Sequence, residues 1–334
     1  MSASLSVICP VFDTPAHFLR EAMESVLREP AATVIELVFV DDGSTRAETL
    51  DFLRGVEATP RVAVLWSGRR EGPAGARNRG IAAARGDFVG FVDSDDVWLG
   101  ERAALLGRVL AAAPEAALIL ANRVLTQGGV PDPTDMGRLE ALYRLAELAP
   151  GVFRLDQPDL ARDWIGLCPL HLGQALVRRE LALAHPIPPL WFAEDTLFFI
   201  RLACVTPAFF VPETVYALRQ GHDSLTASPR RLREGLLPMF RAARADPLLA
   251  GHARPIRWGF YQAAKRSAVE NLLAGRRLDA ARFALTAWRT DPREWRDAWR
   301  FLGLLARGRG LTEAECAAYS PAPARAIHAG PRAA

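Results

Sequence analysis

Short β-branched runs alternate with helical patterns through the first half of the chain. "LSVICPV", "VIELVFV", "RVAVLW", "DFVGFV" and "AALILAN" predict strands, and the stretches 15–29, 46–55, 74–85 and 98–112 between them predict helices. Alternation of this kind implies a mainly parallel sheet with helices on both faces. In such sheets ligands bind at the carboxyl ends of the strands, near the point where strand order reverses. Three of the predicted strands end in polar loops: Phe12-Asp13 after the first, "DDGST" after the second and "DSDD" after the fourth. The three loops are expected to meet at one edge.

From about 125 to 170 the pattern weakens. "TQGGVPDPTD" reads as a Pro/Gly loop and "MGRLEALYRLAELA" as an amphipathic helix. "FAEDTLFFIRLA" predicts a helix with an acidic first turn, and "PAFFVP" and "VYALRQ" predict two short strands. Beyond 226 Ala, Arg, Leu and Trp recur at helical spacing, so a boundary is expected near 225, with an α/β domain over 1–225 and a helical extension over 226–318. Residues 319–334, small and Pro-rich, are expected to be disordered.

Composition adds little to this picture. Half of the 334 residues are apolar, enough for a sizeable core, and the net charge is only +3, with Lys265 the single lysine. No concentrated basic stripe speaks for nucleic acid. Cys9, Cys168, Cys204 and Cys316 form no C-x-x-C pair and no His stands at metal-ligand spacing, which suits a reduced, cytoplasmic protein. The chain enters a strand at once, so no signal peptide is read, and "TLFFIRLACVTPAFFVP" is broken by Arg201 and Pro207, so no transmembrane helix is expected.

The chemistry concentrates in "GDFVGFVDSDDVWLGER", where Asp93, Asp95 and Asp96 crowd the end of a buried strand. Partly desolvated like charges cost free energy, so something positive belongs there. One bland alternative is that Asp95 or Asp96 caps a helix starting near Trp98, and Asp96 suits that role best of the three. "VDDGST" likewise reads as a turn whose Asp caps the next helix. Neither a G-x-G-x-x-G after a strand nor a P-loop occurs.

Taken together, "SVICPVFD", "ELVFVDDGST", "GPAGARNRGIAAARGDFVGFVDSDD" and "FAEDTLFFIRLA" resemble the inverting, nucleotide-sugar-dependent glycosyltransferases of family 2, over roughly residues 4 to 225. The resemblance implies the GT-A fold, Rossmann-like, with a mixed, mainly parallel sheet flanked by helices. It divides the domain into a nucleotide-binding half, 1–124, and an acceptor half, 125–225. It also implies a divalent cation, Mn²⁺ or Mg²⁺, that offsets both the crowded carboxylates and a diphosphate.

By that resemblance Asp95 is the leading metal ligand, with Asp93 in the ribose or metal shell beside Ser94. Asp42, with Asp41 as the alternative, lies against the nucleobase. Pro10 and Phe12 stand where relatives carry "PxYN", so stacking is kept while a phenolic hydroxyl and the usual Asn are lost. Arg77 and Asn78, at a helix start, face the nucleotide, with Arg77 on the diphosphate. Asp195 is the general base, and Glu194 helps to orient the acceptor. "RQGHDSLT" resembles the family's Arg-x-x-His-x-x-Ser segment, which makes His222 a further metal candidate. His171 and His185 read as surface or core residues.

The function implied is metal-dependent, inverting transfer of a sugar from a nucleotide diphosphate sugar, a UDP-sugar first among them, to a hydroxyl. The acceptor would be a saccharide or lipid-linked saccharide in bacterial surface polysaccharide synthesis, in the cytoplasm or at the inner face of its membrane. Peripheral membrane association and self-association are left open. A processive synthase fits less well, because "RPIRW" has Arg254 where that motif has Gln. A nucleotidyltransferase would carry a Gly-rich, basic signature after its first strand, absent from "PVFDTPAHFL". A non-catalytic sugar-nucleotide-binding module predicts binding without turnover.

Overall fold

The structure is a computed structural model that describes residues 3–127, 130, 131, 142–166, 168, 170–220, 229–291 and 303. The chain divides into two compact units, one of residues 1–161 and 169–227, the other of 162–168 and 228–334.

In the first unit, in chain order, lie β1 (Leu5–Val11), α1 (Ala16–Leu27), β2 (Val34–Asp41), α2 (Ala47–Val56), β3 (Val62–Trp66), α3 (Gly72–Ala83), β4 (Phe88–Phe91), β5 (Val97–Trp98) and α4 (Arg102–Ala112). β6 (Leu118–Gln127), β7 (Val130–Pro131), β8 (Leu145–Ala149) and β9 (Val152–Leu155) follow, and α5 (Leu160–Gly166) spans the unit boundary. β10 (Ala175–Arg178), α6 (Arg179–Ala184), α7 (Glu194–Ala203) and β11 (Ala208–Gln220) complete the unit.

The strands form one sheet in the order β3-β2-β1-β4-β10-β6-β11-β9-β8, with β5 beside β11 and β7 beside β6. β1, β2, β3 and β4 are parallel, β10 runs antiparallel to both β4 and β6, and β11 is parallel to β6. The expected mixed, mainly parallel sheet flanked by helices is what the chain forms. Because β1 lies between β2 and β4, the carboxyl ends of these three strands are adjacent, and strand order reverses there.

Burial explains the strands. β1 is almost wholly apolar and buried, as a strand covered on both faces should be. Leu5, Val7, Cys9 and Val11 join Leu19, Ala22 and Val26 of α1 in the core, which continues through Phe39, Leu53, Leu105 and Val109. Ile8, of opposite parity, meets α3 instead, where a Cβ on Gly80 would stand 2.5 Å from Ile8 Cγ2. Only glycine lets α3 approach so closely.

Several local expectations are corrected. Residues 145–149, expected in an amphipathic helix, form β8, which pairs antiparallel with β9 across a Pro150-Gly151 turn in which Gly151 has φ of 71°. The helix expected from 98 starts at Arg102 with Glu101 at its N-cap, and Trp98 lies in β5. Neither Asp95 nor Asp96 caps it. "PAFFVP" and "VYALRQ" are one strand, β11, whose register shifts between Val211 and Tyr216, around Pro212.

The second unit contains α8 (Pro229–Ala245), α9 (Ala253–Leu273) and α10 (Arg277–Thr290). Gly275, at φ of 74°, ends α9, and its N–H donates to the Leu272 carbonyl. Ala268, Val269, Leu272 and Ala280 form a small core between α9 and α10. No helix of the described residues is long and apolar enough to cross a membrane. The expected tail, 319–334, lies outside the described residues.

Candidate active site

The three polar strand ends meet as expected. After β1, Asp13 Oδ1 accepts the N–H groups of Thr45 (2.6 Å) and Arg46 (2.7 Å), so the acid that prepares the start of α2 comes from the first loop, not from "DDGST". Thr14 Oγ1 lies 2.7 Å from Ser94 Oγ, which ties the first loop to "DSDD". Asp41 closes its own turn by accepting from Gly43 and Ser44, both at 3.1 Å. Asp42 reaches into the loop after β3, accepting from Glu71 N–H at 2.6 Å and Gly72 N–H at 2.8 Å. That loop then carries the Arg70 guanidinium 3.8 Å above the Phe12 ring and 5.1 Å from Trp191. Such placements are cation–π contacts.

Arg77, expected at the diphosphate, is buried and committed elsewhere. One of its terminal nitrogens lies 2.7 Å from Glu194 Oε1 and the other 2.7 Å from Asp93 Oδ1. It therefore fixes the start of α7 to the end of β4. Burial works against its charge, but Asp93 and Glu194 outweigh that and hold it protonated. Burial would raise the Asp93 carboxyl as well, yet the Arg77 charge and the His171 hydrogen bond hold it below the usual carboxylate range. Glu194 goes the other way: burial pushes it up, Arg77 pulls it down, and the neighbouring Asp195 charge adds to the rise. Asn78 spends both ends of its carboxamide on the Ile187 backbone, at 2.8 and 2.9 Å, in the segment leading to α7.

His171 and Asp96 complete the cluster. His171 Nε2 lies 3.3 Å from Asp93 Oδ2, while Nδ1 accepts the Gly173 N–H at 3.2 Å. The neutral ring thus carries its proton on Nε2. Burial opposes the imidazolium, but the hydrogen bond and charge of Asp93, with Asp96 and Asp195 beyond it, raise His171 overall. Asp96 is buried and accepts from the Tyr216 hydroxyl at 2.7 Å and the Arg219 N–H at 2.7 Å. Burial, with the charges of Asp95 and Asp93, pushes its carboxyl up to about 7. Tyr216 Oη also accepts the Asp93 N–H at 3.1 Å.

Topology brings these distant residues together. β10 is antiparallel to β4, so the segment entering β10, with His171, sits beside the segment leaving β4, with Asp93. β5 pairs Trp98 with Tyr216. Beneath them the buried Arg102 donates to the Gly173 and Val215 carbonyls at 2.6 and 2.7 Å and lies 4.0 Å from the Trp98 ring. Burial pushes Arg102 down to about 9.

Asp93, Asp96 and His171 each offer one ligand atom, all within 4.8 Å of one another. The two carboxylates suit a hard divalent cation such as Mn²⁺ or Mg²⁺. His171 could add a nitrogen ligand only by giving up the Nε2 proton it shares with Asp93 or the Gly173 N–H that Nδ1 accepts. This set shares Asp93 with the expected ligands, takes Asp96 and His171, and leaves Asp95 partly exposed beside it. His222 lies outside the described residues.

Asp195 is the second residue of α7, partly exposed, with Oδ1 accepting the Thr196 N–H at 2.7 Å. The helix turns in through Ala193, whose φ of 58° is left-handed. A non-glycine residue in that region costs on the order of 1 kcal/mol and is held by its surroundings.

Residues 6–149 match the protein family described as "Glycosyl transferase family 2". That segment is similar to the family 2 glycosyl transferases. Among curated relatives, the Escherichia coli protein named UDP-Glc:alpha-D-GlcNAc-diphosphoundecaprenol beta-1,3-glucosyltransferase WfgD is 34% identical over 100 residues, 29% of this chain and 37% of that protein. The chain covers 9% of the O-antigen biosynthesis protein RfbC of Myxococcus xanthus, so these relatives extend well beyond the shared family 2 segment. The fold is also that of S. aureus TarS residues 1–349 in complex with UDP-GlcNAc. TM-score is 0.59 at 20% identity, over 86% of this chain and 83% of that one. These likenesses place the family 2 segment in a GT-A fold.

Signals for the residues missed in the sequence differ. Asp96 is visible in the sequence as a carboxylate, but its place before a predicted helix equally suits a cap. Nothing in the spacing of Asp93, His171 and Tyr216 links them; the antiparallel insertion of β10 brings in His171, and the pairing of β11 with β5 brings in Tyr216. Arg70 and Trp191 stand next to recognised motifs, and only the fold shows that Arg70 approaches both the Phe12 and the Trp191 rings.

Proposed function

We propose that the chain is a metal-dependent, inverting glycosyltransferase. It moves a sugar from a nucleotide diphosphate sugar, a UDP-sugar first among candidates, to a hydroxyl of a saccharide or lipid-linked saccharide in bacterial surface polysaccharide assembly. The observation that carries this reading is the Glu194–Arg77–Asp93 bridge. One buried guanidinium sets the spacing between the candidate base, Asp195, and the carboxylates at the end of β4. The family 2 match, the UDP-Glc in the name of WfgD and the UDP-GlcNAc held by TarS support the donor class.

In this account the nucleobase enters beside Phe12, within reach of Arg70. Asp42 acts one step removed, by fixing the loop that presents Arg70. Asp93, Asp96 and His171 would hold the cation, with Asp95 at its edge. A divalent cation there supplies positive charge opposite the leaving diphosphate. Asp195 takes the proton from the acceptor hydroxyl as its oxygen attacks the anomeric carbon, and the diphosphate departs on the opposite side, which inverts the configuration. Arg77 positions rather than touches: it holds Glu194 so that the first turn of α7 presents Asp195 to the acceptor. Glu194 orients through that helix turn and not through free hydrogen-bonding capacity.

Thermal shift with UDP, GDP and their sugars, with and without Mn²⁺, tests the donor assignment. A nucleotide at 100 times its Kd adds about 2.7 kcal/mol of stability. Uridine nucleotides are expected to raise Tm only when Mn²⁺ is present. A shift that ignores the metal, or none with any nucleotide, overturns the reading.

A further inference from the structure

α10 carries an apolar stripe that stays exposed. Leu278 is 80% exposed, Leu285 43% and Trp288 42%. At i, i+7 and i+10 they share one side of the helix. The opposite side buries Ala280 and Ala287 and packs Phe283 and Ala284 against α9. Arg277, Arg282 and Arg289 are exposed alongside the stripe. The one acid of α10, Asp279, is partly buried, 3.8 Å from Arg282.

Charge along the chain is segregated. Residues 229–291 hold thirteen basic and five acidic side chains, whereas residues 1–227 hold twenty-one basic and twenty-nine acidic ones. The small net charge of the whole chain conceals a cationic helical segment joined to an anionic α/β one.

We propose that α10 docks the protein on an anionic bilayer surface, lying in the plane of the interface with Leu278, Leu285 and Trp288 among the acyl-chain ends and the arginines at the headgroups. Fourteen residues make a helix roughly 21 Å long, too short to span a bilayer but suited to lie on one. Tryptophan and arginine are favoured at that depth. A nucleic acid would satisfy the arginines and leave both leucines in water. A symmetric pairing of two copies through this helix would bring its arginines together. The bilayer alone matches both the charge and the apolar stripe. The inference stands on the helical unit and holds whether or not the family 2 segment transfers sugar.

The test is co-sedimentation of the full chain with vesicles of phosphatidylcholine alone and of phosphatidylcholine with phosphatidylglycerol, with no nucleotide-sugar present. Binding is expected to the anionic vesicles only and to weaken with salt. Replacing Arg277, Arg282 and Arg289 together by Gln should lower affinity roughly 10²-fold, at about fivefold per arginine. Leu278→Asp, at a site too exposed to threaten folding, should weaken binding while leaving Tm unchanged. Equal binding to neutral vesicles, no binding at all, or binding that ignores both variants overturns the proposal. So does a dimer in sedimentation velocity that Leu278→Asp dissociates, or a short RNA whose binding falls with the arginine triple while vesicle binding does not.

Discussion

Arg77→Met is the perturbation whose cost follows most directly from the geometry. The side chain is buried, and each terminal nitrogen is 2.7 Å from a carboxylate oxygen. Met fills much of the same volume but leaves Asp93 and Glu194 facing each other without a counter-charge. Breaking a buried pair in this way costs about 3–5 kcal/mol, and the partial exposure of Asp93 argues for the lower end. For a domain of this size about 3 kcal/mol lowers Tm by roughly 6–12 °C. The pH dependence has a definite sign. Asp93 is depressed in the native protein, so its contribution is present above the ordinary carboxylate range and lost as pH falls through it. The gap between wild type and variant should therefore be widest near pH 8 and narrow toward pH 4, where the stranded carboxyls become neutral. Differential scanning fluorimetry across that range, with EDTA present, measures it. Adding Glu194→Gln to Arg77→Met should recover part of the loss, because one of the two stranded charges is gone. A Tm within 2 °C of wild type at pH 8, or a gap that widens in acid, would refute the bridge as the element that fixes α7 to β4.

Two other outcomes follow from the same cluster. Asp96 titrates near 7 when folded but near 4 when unfolded, so the native state holds the extra proton between those values and stability should fall as pH rises from 4 to 7, then level off. Asp96→Asn removes that slope and should be the more stable protein at pH 8 without metal, as chemical denaturation at several pH values would show. Gly173→Ala would set a Cβ 2.2 Å from the Tyr216 ring, which two hydrogen bonds hold in place, so a loss of about 2–3 kcal/mol is expected in urea denaturation.

The parts of the fold that can be read in the sequence are those whose causes are local. β1, β2 and β4 announce themselves as apolar runs, and the polar residues that end them mark the site. Where long-range pairing decides, local reading fails. Residues 145–149 have good helix formers in Leu, Ala and Glu, but pairing with β9 overrides that preference, and the Pro150-Gly151 turn was the signal available. Pro212 suggested a break between two strands; the sheet absorbs it as a register shift within β11. Arg77 was legible as a site residue but not its partners, because the choice between a diphosphate and two carboxylates depends on where α7 begins. His171 gave no signal at all. Its place beside Asp93 is created by β10 entering the sheet antiparallel, a feature of topology that spacing does not encode.

The central claim is that the strand-end cluster holds a donor while Asp195 performs the chemistry, and it is tested most directly by nucleotide release from a UDP-sugar in the presence of Mn²⁺ and acceptor, for wild type and Asp195→Asn. A general base acts in the transition state, so the account predicts turnover by wild type, a loss of roughly 10²–10⁴-fold in the variant, and nearly unchanged donor affinity by calorimetry. Donor binding with no turnover by wild type would mark a binding module, and near wild-type turnover by Asp195→Asn would contradict the assignment of the base.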